Sequence, residues 1–163
     1  MAIAMSFRDY LDQHGIHYDV LTHDYATSAL QTASTAQVPM TQLAKAVIFR
    51  DENDDYLMVV LPSICQAEVD ELNEVTDRHL HLADEHELPK LFSDCDLGAI
   101  PPAGPAYRIP MVWDQSLDDE EDVYLEAGDH RHLIHLSHGD FMKLMGSSPS
   151  ARFSRPVVSV FTP

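Results

Sequence analysis

A lysine, Lys45, stands inside the apolar run Leu43-Ala-Lys-Ala-Val-Ile-Phe49. An ammonium held among apolar neighbours pulls strongly on an oxygen that gains negative charge during reaction. If the run is a strand, Lys45, Val47 and Phe49 share one face and Ala46, Ile48 and Arg50 the other. The lysine then sits among apolar side chains, the pattern of a pocket wall. The plainer reading is a stem lying on apolar surface with its ammonium in water. A second group is Gly98-Ala-Ile-Pro-Pro-Ala-Gly104. Two prolines between glycines stiffen the backbone and leave N–H groups at Gly98, Ala99, Ile100, Ala103 and Gly104 to meet a ligand that approaches the main chain. The same loop could also simply reverse the chain.

Other reactive residue types form weaker patterns. The chain has 10 histidines, including His79 with His81 and the group His130, His132, His135 and His138. Residues two apart on a strand share a face, and imidazole is a common zinc ligand. There is no HExxH, however, and no cysteine adjoins these groups, so they read as surface and hairpin histidines, with no metal or cofactor expected. Cys65 and Cys95 lack a CxxC spacing and read as reduced structural thiols. No Ser-His-Asp constellation is evident.

These residues need elements to position them. Helical spacing of Phe7, Tyr10 and Leu11, with Ser6 as N-cap and Gly15 as stop, predicts a helix over 6–14. A short strand follows at 17–23. Ser28-Ala-Leu-Gln31 has capping-box spacing and opens a helix that ends before Val38-Pro39. Strands at 43–50 and 56–62 flank the acidic turn 51–55, a hairpin. Further on, a helix at 68–74, a strand at 79–82 and a helix at 85–92 capped by Asp84 precede the glycine- and proline-rich loop. Strands at 109–113, 122–127 and 131–137 lead to a last helix at 139–145, after which SSPSARFSRP reads as a mobile tail. Hairpins and helices without βαβ regularity give an α+β fold with a mixed, mostly antiparallel sheet.

A length of 163 residues suits one compact domain with its own core. No apolar run approaches the roughly 20 residues of a bilayer span, and the N-terminus lacks the features of a secretory signal. A cytoplasmic location without a membrane partner is the resulting expectation. The formal net charge of −17 disfavours non-specific binding to polyanions and argues against a DNA partner. Any nucleic acid must be held by a local cationic site.

Taken in order, Ser28-Ala-Leu-Gln31-Thr-Ala, Leu43-Ala-Lys45, the GxxPPxG loop from Gly98 to Gly104, and Gly128-Asp129-His130 resemble the YbaK family of aminoacyl-tRNA deacylases over roughly residues 7–145. This editing domain also occurs within or beside prolyl-tRNA synthetases. The resemblance implies a strongly curved mixed sheet with flanking helices, filling residues 1–145 and followed by a tail over 146–163. It further implies hydrolysis of the ester of mischarged tRNA, most often alanine or cysteine on tRNA for proline, with the 3′ end as substrate and a synthetase as partner. Lys45 matches the family's essential lysine, and His130 the histidine of its Gly-Ser-His segment, with Asp129 in place of serine. Gly98, Ala99, Ile100, Pro101, Pro102 and Gly104 match the loop around the ester. Ser28 and Gln31 match the Thr-Ala-x-Glu helix start. Ala46 stands where members generally carry threonine or asparagine, and Ile64-Cys65 where many carry Ser-His. Two readings stay open on these residues: a deacylase acting through Lys45, the loop and His130, or a non-catalytic module that holds an aminoacyl ligand or docks to a synthetase.

Overall fold

The computed structural model describes residues 3–157. Its strands are β1 (Asp19–Thr22), β2 (Leu43–Arg50), β3 (Tyr56–Pro62), β4 (Cys65–Ala67), β5 (His81–Leu82), β6 (Met111–Asp114), β7 (Asp122–Glu126), β8 (His132–Ser137), β9 (Ser150–Ala151) and β10 (Ser154–Pro156). Its helices are α1 (Met5–Gln13), α2 (Ala29–Ala36), α3 (Val69–Thr76), α4 (Leu88–Leu91) and α5 (His138–Met145). The main sheet runs β1-β8-β7-β2-β3-β6-β9, with β5 also paired to β2, and β10 pairs β4 in a second, two-stranded sheet. The β7–β2, β3–β6 and β6–β9 pairs are parallel and the others antiparallel. The α+β class and mostly antiparallel sheet therefore hold. No helix among the described residues is long and apolar enough to cross a membrane.

The central hairpin explains why β3 reads as an unbroken apolar run. Met58 and Val60 enter a core with Phe7 and Leu11 of α1, Phe92, and Phe141 and Leu144 of α5. Leu57, Val59 and Leu61 point the other way, against Phe49, Leu72 and Phe153. Both faces of the sheet are covered, so alternation carries no polar side.

Several expected elements change at their ends. Helix α1 begins at Met5 without a side-chain cap of its own, because Ser6 instead gives its N–H to the carboxylate of Asp94, 2.8 Å away. The expected helix over 85–92 is a 3₁₀ turn, Glu85–Glu87, running into the short α4. Asp84 and Glu87 do form a capping box at its start. Strands β4, β9 and β10 were not foreseen.

The reading of 146 onward as a mobile tail is overturned for the residues described. β9 pairs β6, β10 pairs β4, and Phe153 is fully buried between them. Their fastening is Asp114, only 2% exposed at the end of β6. One of its oxygens accepts from the N–H and hydroxyl of Ser116, the other from the N–H groups of Phe153 and Ser154 and the Ser154 hydroxyl. A single phenylalanine and a distant carboxylate hold a segment that lacks any periodic pattern. Residues 158–163 of the expected tail lie outside the described residues.

Burial alone would raise the pKa of Asp114, but these five donors outweigh it and hold the carboxyl below its ordinary value of 3.8. Its stabilisation is thus fully present above that value and is lost as pH falls through the lower native one. Asp114→Asn is expected to lower unfolding stability by about 2–4 kcal/mol near neutrality. The gap from wild type should narrow in strong acid, as urea titrations at both pH values would show.

Candidate functional site

Strand β2 is paired along residues 44–50 by β3, but its other edge is divided. The β7 register ends at Ala44↔Leu125, and the β5 register begins at Phe49↔Leu82. Ala83, just after β5, still donates to the Ile48 carbonyl, and between there and β7 the edge of residues 45–47 opens into a cleft of about 460 Å³. Leu82 and Leu88 wall one side, and Leu97, Gly98, Ile100 and Glu126 the other. The lining is mostly apolar with a few polar groups, the usual make-up of a small-ligand site.

Lys45 stands at a junction. It lines this cleft, a second hollow with Val47, Phe49 and Gln66, and a small one with Ser28, Ser63, Gly98 and Glu126. Among the described residues its ammonium has no ion-pair or hydrogen-bond partner. Burial lowers its pKa from 10.5, while the neighbouring Cys65 opposes the shift. The result is a half-buried cation with free donors beside an apolar cleft.

The proline-braced loop is only half in the site. Leu97, Gly98 and Ile100 reach the cleft, whereas Pro101, Pro102, Ala103 and Gly104 are buried behind it. The expectation of five free N–H donors is corrected accordingly. Ala99 donates to the Asp96 carbonyl, Ala103 to that of Pro101, and Gly104 to the Met111 sulfur. Of the five, Gly98 and Ile100 keep N–H groups without a protein acceptor among the described residues. Gly104 is required for packing, since a Cβ there would lie 2.5 Å from the Ile109 carbonyl oxygen.

His130 holds this loop in place. It is 4% exposed, and its Nε2 lies 2.7 Å from the Leu97 carbonyl. A carbonyl only accepts, so Nε2 carries the proton and donates. The ring also meets Tyr25 edge-on at 5.4 Å, and Arg131 lies over the Tyr25 ring at 5.2 Å. This bond ties His130 to the start of the proline-braced loop.

The remaining expected residues divide. Ala46 lies on the cleft floor and brings a methyl group. Ser28 caps α2 and lines the small hollow beside Lys45. Gln31 is exposed and outside the cleft, its carbonyl accepting from the Thr27 N–H while its own N–H donates to Ser28. Asp129 also lies outside: its carboxylate accepts from the N–H groups of Arg131 and His132 and pairs with the His132 ring. That fixes the β7–β8 turn. His135 and His138 are likewise occupied, by Asp19 with Asp122 and by Asp118. Burial raises both thiols, Cys95 to about 12, so neither is a nucleophile near neutrality.

Glu126 was missed. It ends β7 at a position that alternation assigns to the same face as Tyr124, and a charged strand end ordinarily signals solvent. Here its Oε1 is enclosed without a hydrogen-bond donor. Burial first, and Asp129 second, raise its pKa from 4.5 to about 7.

Gly98 has φ +85°, and a Cβ would sit 3.4 Å from His130 Cε1. Gly98→Ala is expected to cost about 1–2 kcal/mol of stability. It should also displace the His130 ring resonances in NMR spectra.

The aminoacyl-tRNA editing domain family matches residues 23–144. The crystal structure of a hypothetical protein superposes with TM-score 0.81 at 20% identity, covering 92% of this chain and 99% of that one. A candidate trans-editing enzyme for prolyl tRNA synthetase superposes with TM-score 0.79 at 20% identity, covering 93% and 96% respectively. A third match, a signal transduction candidate from Marinobacter aquaeolei, has TM-score 0.74 at 17% identity, covering 91% of this chain and 30% of that one. No sequence among curated proteins matches the chain.

Proposed function

Because this chain belongs to the aminoacyl-tRNA editing domain family, we propose that it is a deacylase that works in trans on mischarged tRNA in the cytoplasm. The ester it cleaves joins a small amino acid, such as alanine or cysteine, to the 3′ end of tRNA for proline, and prolyl-tRNA synthetase is the partner whose errors it removes. The observation that carries this reading is the unpaired, half-buried ammonium of Lys45 on the wall of a cleft that also holds Gly98.

Hydrolysis of an ester passes through a tetrahedral oxyanion, and donors fixed in a water-poor site stabilise it most. Lys45 supplies a cation there, and the Gly98 and Ile100 N–H groups supply neutral donors. His130 acts on these through its bond to the Leu97 carbonyl, as a positioning residue. Ala46, a methyl on the floor, favours a small apolar side chain over a polar one.

The acidic surface restricts where tRNA can touch. Arg50, Arg78, Lys143 and Arg155 are already in ion pairs with carboxylates. Arg131, exposed and stacked over the exposed Tyr25, lies just behind the loop that His130 holds. A guanidinium over an aromatic ring suits a terminal nucleotide, offering a stacking face and a phosphate contact.

Lys45→Ala should lower kcat/KM for alanyl-tRNA or cysteinyl-tRNA hydrolysis by about 10²–10³-fold. Wild-type protein inert toward every mischarged tRNA tested would overturn the assignment. Arg131→Ala should raise KM by about 5- to 50-fold, with a weaker salt dependence of binding.

A further inference from the structure

The site as described stabilises an oxyanion but has no group to take the proton of an attacking water. Glu126 fits that need. The parallel register Leu43↔Tyr124 and Ala44↔Leu125 brings the next positions, Lys45 and Glu126, level on one face of the sheet. Both residues line the 460 Å³ cleft and the small hollow, and Gly98 lines both with them. The carboxyl has one oxygen enclosed without a donor, and no ion pair among the described residues. No structural bond accounts for an acid at this place.

We propose that Glu126 is the general base and general acid of the hydrolysis, an inference that rests on the deacylase reading above. Its carboxylate takes a proton from water as the water oxygen bonds to the ester carbon, and the carbonyl oxygen becomes the oxyanion beside Lys45. When the bond from carbon to the ribose oxygen breaks, Glu126 returns the proton to that oxygen. The products are the free amino acid and the tRNA hydroxyl, with Glu126 ionised again.

Lys45 from β2 and Glu85 from the 3₁₀ turn line the cleft with Glu126, and Asp129 acts on it from the β7–β8 turn. Burial and Asp129 bring its pKa to about 7, where a carboxyl can both accept and donate near neutral pH.

The test compares wild type, Glu126→Gln and Lys45→Ala in single-turnover hydrolysis of alanyl-tRNA across the neutral range. The wild-type rate should climb with pH and level off above about 7. Glu126→Gln should lose about 10²–10⁴-fold in rate, together with the climb. A Glu126→Gln protein that matches wild type while Lys45→Ala is impaired would overturn the proposal and leave the deacylase reading intact. So would a variant that only raises KM and discriminates less against N-acetylated substrate, since that pattern marks a contact to the substrate ammonium. An inert wild type overturns both. Folding of the variant is checked independently. A raised carboxyl pKa makes wild type less stable as pH rises from 4.5 to about 7, so Glu126→Gln should melt at or above wild type on the alkaline side.

Discussion

The division of one strand edge underlies the whole site. A strand in the middle of a sheet normally satisfies its backbone groups on both sides. β2 does so toward β3, yet its far edge is shared between β7 at one end and β5 at the other. Neither reaches residues 45–47, and Ala83, just after β5, donates to the Ile48 carbonyl. The gap left between β7 and β5 along that edge is the cleft. Its floor is the rigid middle of the molecule, clamped by apolar clusters on both faces. A site built on such a floor holds its lysine more firmly than one built on loops alone.

Two acidic side chains show how differently the fold treats buried charge. Asp114 is surrounded by five donors, which hold its pKa below the ordinary 3.8. Glu126 receives none at its enclosed oxygen, and its proton affinity climbs to neutrality. Both experience desolvation, so the difference comes from the N–H and O–H groups pointed at Asp114 and from the Asp129 charge near Glu126. One is a fastener. The other is left poised between two protonation states beside a cation.

Much of this was legible along the chain. The alternating run from Leu43, the acidic turn and the apolar run from Tyr56 specify the central hairpin, and Lys45 stands out because its type conflicts with its neighbours. The two glycines of the loop announce backbone constraint, Gly104 through the space a Cβ would need and Gly98 through its positive φ. What was not legible depends on contacts between distant residues. The cap of α1 comes from Asp94, and the order of 150–156 comes from Phe153 and Asp114, none of which a local window connects. Loop donors looked free because sequence shows N–H groups without showing their acceptors. Glu126 looked exposed for the same reason, as nothing near it in sequence reveals that the sheet closes over one of its oxygens.

The pairing of β10 with β4 also bears on the order in which the molecule is built. Cys65, the first residue of β4, lies close enough to Lys45 for each to influence the other's charge. Synthesis delivers Lys45 to the ribosomal exit long before Ser154 to Pro156 can dock against that strand. Until they do, one wall behind the lysine lacks its backing and Phe153 leaves a void in the second core. The β4 side of the cleft is therefore completed only after the last part of the sheet has been made.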